Sequence, residues 1–249
     1  MTQAVPFQPG GYRYAPGVFQ YSAGVAAEPG FEIIHARLRE PIQLADGFDV
    51  IAAHLNAIGR PLTAFCACEL RSPEPFTEDG FRAFNEVYAG TLEAWGIMRD
   101  GINPVARSNV CPKIDPPPAP SLYAFAYTVA SNDAPPTCAV AGSGEVPEGH
   151  ATYRDHIVAP GDVSPNGMVQ KANFVAGEMR RRLDVLGMYA NVITSAQVYT
   201  VEPVHSLVEE VLLPSGLGAH GLTWHYCRPP IEGLAFEMDC RVVRREIIV

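Results

Sequence analysis

Arg107 begins a strand-like run, and its guanidinium is a planar fork that meets a carboxylate through two parallel hydrogen bonds. Glu237 and Asp239 stand two apart in another strand-like run. Both therefore leave one face, while Phe236, Met238 and Cys240 leave the other. A carboxyl in a partly buried cleft has its pKa raised and can act as acid or base. Ser143, Gly144 and Glu145 read as a tight turn after a buried strand, where glycine lets backbone N–H groups approach a ligand. Ser22 and Gly24, beside Tyr21, are the weaker counterpart in the first half. The polar and aromatic stretch Gly149-His150-Ala151-Thr152-Tyr153-Arg154-Asp155-His156 reads as an elaborated loop, the kind of segment that carries substrate contacts.

Metal chemistry has little support. His150 and His156 lack the i, i+4 spacing of a helical ligand pair, and no cysteine pair has zinc-site spacing. We expect no metal and no cofactor. Cys66 and Cys68, two apart in a strand, are expected on one face as buried thiols. Cys111 and Cys227 have no base beside them in sequence, so they read as small buried hydrophobes.

One order of elements must position these groups, and it occurs twice. Residues 18–24 and 31–38 read as strands, and Phe48, Ile51, Leu55 and Ile58 mark a helix stopped by Gly59 and Pro61. A strand at 63–70, a helix at 81–95 and strands at 108–110 and 122–129 complete the half. The second half gives strands at 137–141, 192–201, 222–227 and 235–243, a long helix at 168–186 and a shorter one at 205–213. The order is ββαβαββ in the first half, and the second repeats it without the opening strand. The boundary falls at Ala130-Ser131-Asn132-Asp133-Ala134-Pro135-Pro136, giving domains 1–132 and 133–249. Each is expected to be an α/β unit, a mixed sheet with two helices on one face. Strands such as Phe65-Cys66-Ala67-Cys68 are apolar on both faces, so the open sheet face should pack on another domain or chain.

The charge balance excludes some partners. A net charge of −9 argues against nucleic acid and anionic membranes, and Arg180-Arg181-Arg182 reads as a solvated helix face. No apolar run approaches a membrane span, and the N-terminus has no secretion-signal pattern, so the expected location is the cytoplasm.

Several segments resemble the YjgF-like reactive-intermediate deaminase family, whose fold is also called chorismate-mutase-like. Phe84-Asn85-Glu86-Val87-Tyr88 is similar to its helix signature, and Pro104-Val105-Ala106-Arg107-Ser108 to its proline–alanine–arginine–serine strand with one extra residue. Ala141-Gly142-Ser143-Gly144-Glu145 is similar to its serine–glycine–glutamine turn, and Phe236-Glu237-Met238-Asp239-Cys240 to its final strand. The resemblance implies that Arg107 holds a substrate carboxylate. We expect Ser143, Gly144, Tyr21, Ser22, Tyr153 and Trp224 as further substrate contacts. It implies catalytic acids among Asp239, Glu237 and Glu145, with Asp239 favoured. It implies trimers with sites between neighbours. The first half lacks the final-strand acid, and in the second the arginine position falls near Trp224. Arg107 should then meet Glu237 and Asp239 in a composite site. The implied reaction is hydrolytic deamination of a small carboxylate-bearing enamine or imine, such as 2-aminomuconate. Hydrolysis or lysis of a cyclic acid, and small-acid binding without turnover, stay open as alternatives. RNA cleavage does not fit the acidic charge.

Overall fold

The computed structural model describes residues 3–149 and 152–249. The chain runs β1 (Val5–Phe7), β2 (Tyr12–Ala15), β3 (Gly24–Ala27), β4 (Phe31–Gln43), α1 (Leu44–Ala57), β5 (Phe65–Arg71), α2 (Glu78–Ala94), β6 (Ala106–Pro112) and β7 (Ser121–Ala130). It continues with β8 (Cys138–Gly144), α3 (Pro165–Leu186), β9 (Ser195–Tyr199), α4 (His205–Leu207), β10 (Thr223–His225), β11 (Cys227–Arg228), β12 (Glu237–Val242) and β13 (Glu246–Ile248).

Local chemistry sets the helix ends. Thr77 caps α2 by accepting from Gly80 N at 3.1 Å. Ser164 caps α3 in the same way, Pro165 follows in the first turn, and Gly187 closes the helix at φ 73°. The predicted helix over 205–213 has only three α-helical residues and passes into a π-helical turn, Val208–Leu212.

The strands form two mixed sheets. The seven-stranded sheet runs β1-β2-β3-β8-β12-β9-β10 and the six-stranded one β11-β6-β5-β7-β4-β13. Within them β6-β5-β7-β4 and β10-β9-β12-β8 repeat one order, and the first pair of each is parallel. The expected strand over 18–24 is replaced by a tight bridge, Val18 to Tyr21, and β3 starts at Gly24. The outlying strands are exchanged between halves: β3 pairs with β8, β13 with β4 and β11 with β6.

Packing gives four layers. One core joins the six-stranded sheet to α1 and α2, and another joins the seven-stranded sheet to α3 and the 205–212 helix. A third, built from Tyr12, Val25, Ile33, Ala67, Ala106, Ala126 and Ala141, fills the gap between the sheets. Each sheet therefore covers the other's open face, as the two-faced apolar strands require. Cys66 and Cys68 do not share a face. A register shift between Phe65 and Ala67 adds a residue to β5, so Cys66 enters the inter-sheet core and Cys68 the helix side. Among the described residues no helix is long and apolar enough to cross a membrane.

Candidate active site

β6 places Arg107 and Asn109 two apart on one face and Ser108 on the other. Arg107 is 3% exposed. Its guanidinium carbon lies 4.7 Å from the Tyr88 ring centroid and 5.4, 5.5 and 5.7 Å from those of Tyr21, Phe84 and Phe81. Neither Nη1 nor Nη2 has a hydrogen-bond partner among the described residues. A buried cation with open donors costs several kcal/mol, and ring faces return only about 0.5–2 kcal/mol. An anion with two acceptors, such as a carboxylate, relieves the remainder. Asn109 supplies another open donor: its Oδ1 accepts from Ser72 Oγ at 2.9 Å, while its buried Nδ2 has no partner among the described residues.

These donors face a narrow cleft. Both halves of the chain build it. The first gives Tyr21, Phe81, Arg107 and Asn109; the second gives Gly142, Ser143, Gly144, Glu148, Tyr153 and Glu237. β8 extends through Gly144, so Ser143 and Gly144 sit at a strand end rather than in a turn. Gly142 is required by close approach: a Cβ there would collide with Glu237 Oε1 and lie 3.2 Å from Ser108 Cα. Burial pushes the Glu237 carboxyl well above the usual carboxylate range, and Asp239 adds to the shift. Glu237 thus holds its proton more tightly than a free carboxyl does, on the cleft wall shared with Arg107.

Asp239 is held differently. Its Oδ2 accepts from Ser108 Oγ at 2.5 Å and Tyr199 Oη at 2.9 Å, and its Oδ1 accepts from Gln197 Nε2 at 3.0 Å. Gln197 also donates to Glu69 at 3.1 Å. Glu69 further receives His35 at 2.9 Å, Arg241 at 3.3 Å and Arg71 at 3.4 Å. Burial raises the Glu69 carboxyl, but the His35 hydrogen bond and the arginines outweigh it, and the net position is well below the usual range. Burial and Glu69 raise Asp239. This network ties the sheets together, and its donors occupy Asp239. Of the two final-strand acids, Glu237 and not Asp239 faces the cleft.

The other expected residues divide. Tyr21 and Tyr153 line the cleft. Glu145 does not; its fully buried carboxylate accepts from Lys171 Nζ at 3.2 Å, Ala235 N at 2.6 Å and Phe236 N at 3.0 Å, which pins the start of β12. Ser22 donates to Pro104 O at 3.1 Å and ties the N-terminal segment to β6. Trp224 lies on β10, 42% exposed and outside the cleft, donating to Thr200 O at 2.9 Å. Arg182, expected on a solvated face, is fully buried; its Nη1 donates to Ala141 O at 2.8 Å and Gly142 O at 3.2 Å, and its Nη2 to Glu148 at 2.7 Å. His150 lies outside the described residues, and among those described no three His, Cys, Asp or Glu are grouped to hold a metal.

Sequence reasoning missed Asn109, Glu148 and the buried Glu69. Asn109 had a usable signal, since it follows Arg107 by two in a strand and shares its face.

Residues 4–247 match the family model described as 2-aminomuconate deaminase CnbZ. The chain is 52% identical over 251 residues to 2-amino-5-chloromuconate deaminase of Comamonas testosteroni, covering 100% of both chains. Among solved structures it is similar to a chorismatase, with TM-score 0.42, 13% identity, and 89% of this chain and 77% of that one covered. It is also similar to the YjgF gene product of E. coli, with TM-score 0.32, 13% identity and 44% and 81% covered.

Proposed function

The chain belongs to the CnbZ 2-aminomuconate deaminase family, and from that premise we propose how its cleft removes an amino group from a muconate-like acid. The protein is a deaminase of aromatic-compound catabolism. The observation that carries the reading is the buried Arg107 with two open donors, facing the same cleft as a carboxyl whose pKa burial raises.

Arg107 takes a substrate carboxylate in two hydrogen bonds, and Asn109 Nδ2 adds a third contact. Backbone groups at Ser143 and Gly144 polarise the conjugated system. Tyr21, Phe81 and Tyr153 enclose it. Glu237 gives its proton to the enamine carbon, forming an iminium. Water adds, ammonia leaves and a 2-oxo acid forms, so the reaction is a hydrolysis. General acid help of this kind contributes about 10²–10⁴-fold. The 2-amino group and the two carboxylates of 2-aminomuconate fit this arrangement, and it is the substrate we assign.

The repeated strand order supports reading 1–132 and 133–249 as two YjgF-like units with the site between them. A homotrimer is the closed assembly we propose for this unit. The test is ammonia release from 2-aminomuconate and related carboxylate-bearing enamines. Acceleration over the enzyme-free rate supports the reading. Tight binding without ammonia, or turnover of a cyclic acid instead, would replace it.

A further inference from the structure

We propose that Glu148 is a second catalytic carboxylate, the base that takes a proton from the attacking water; this deepens the deaminase reading and rests on it.

The two carboxyls of the cleft stand in opposite settings. Glu237 is 4% exposed, presses against Gly142 and has no ion pair among the described residues. Glu148 is ion-paired: its Oε1 accepts from Arg182 Nη2 at 2.7 Å. Arg182 is itself fully buried and fixed by its bonds to Ala141 O and Gly142 O on β8. One side chain thus sets both Glu148 and the strand end that carries Gly142, Ser143 and Gly144. A buried carboxyl without an ion pair and one held by a fixed arginine are suited to different work, the first as acid and the second as base.

Glu148 lines the cleft beside Tyr21 and Tyr153, and it also lines an open surface recess with Pro16, Val18 and Arg181. It stands where solvent meets the cleft, while Glu237 stands at the buried end. The reaction needs water from solvent and a proton at carbon, and the two groups match those two places.

The steps balance. Glu237 gives its proton to the enamine carbon, leaving an iminium and the Glu237 carboxylate. Water oxygen bonds to the iminium carbon as Glu148 takes one of its protons, giving a carbinolamine. Glu148 returns that proton to nitrogen. The C–N bond then breaks and ammonia leaves. The carbinol O–H proton passes to Glu237, which resets both groups as the carbonyl forms. Arg182 acts through Glu148 and is a positioning residue.

The experiment uses the full chain and 2-aminomuconate in D2O. Ammonia is measured together with deuterium at carbon in the unconsumed substrate. For Glu148→Gln the expected result is a fall in ammonia release of about 10²–10⁴-fold, with deuterium uptake continuing near the wild-type rate because protonation at carbon is reversible. Glu237→Gln loses both. Formate should restore ammonia release to Glu148→Ala, which a merely structural role would not allow. Unchanged ammonia release by Glu148→Gln, parallel loss of both signals, or no rescue by formate in a folded Glu148→Ala protein would each overturn the proposal. A wild type that releases no ammonia would instead remove the deaminase chemistry on which it rests.

Discussion

Replacing Arg107 with methionine should separate binding from stability. In the bound state the guanidinium gives two hydrogen bonds to a carboxylate, each contributing about 1.5–3 kcal/mol. The lower end, about 3 kcal/mol, is already roughly a 100-fold loss in kcat/KM. In the free protein the same group is a buried cation with both Nη atoms unpartnered among the described residues. Its compensation is the ring cage at 4.7–5.7 Å, about 0.5–2 kcal/mol. Methionine has a similar reach, packs against rings and carries no charge. Arg107→Met should therefore lower kcat/KM for ammonia release at least about 100-fold, while thermal or urea unfolding shows stability unchanged or raised by about 1–2 kcal/mol. A destabilised variant with near-normal kcat/KM would refute the reasoning, because it would make Arg107 a structural cation.

Further outcomes follow from the same geometry. Because burial raises the folded-state Glu237 pKa, its cost is absent below the unfolded value near 4.3. The cost grows as pH rises towards the folded value. Glu237→Gln should thus abolish turnover yet raise neutral-pH stability by about 0.5–2 kcal/mol, and wild-type kcat should fall as pH rises through the Glu237 pKa. Glu69 has the opposite sign: its lowered pKa contributes stability above the unfolded value, lost as pH falls through the folded one. Glu69→Gln should lower stability at pH 7 by about 3–5 kcal/mol and flatten the acid limb of the unfolding curve. Gly142→Ala should cut turnover sharply, measured as ammonia release, because its methyl group would displace Glu237 Oε1. Glu145→Gln, which weakens the anchor to Lys171 and β12, should cost stability before activity, so the measured Tm should fall while kcat/KM of the remaining folded protein changes less.

Much of the scaffold was legible because periodicity is local. Met168, Ala172, Val175, Met179 and Leu183 fall at helical spacing and all are buried in one core. Pairing partners are not local, so the exchange of β3, β11 and β13 between sheets left no mark in the letters. The extra residue that turns Cys66 away from Cys68 is a pairing defect, visible only against β7. Arg107 and Glu237, which line one cleft, were legible as candidates because guanidinium and carboxyl chemistry is specific. The roles of Glu145, Arg182 and Glu148 were not. The structural role of a charged residue stays hidden until its partner is known, and these partners lie 26 to 41 positions away.

The most direct measurement is a crystal structure of the protein with muconate, the substrate skeleton without its amino group. The account predicts one carboxylate on Arg107 Nη1 and Nη2, with Asn109 Nδ2 in reach and the chain carbons beside Glu237. A muconate bound away from Arg107, with both Nη atoms still open, would contradict it.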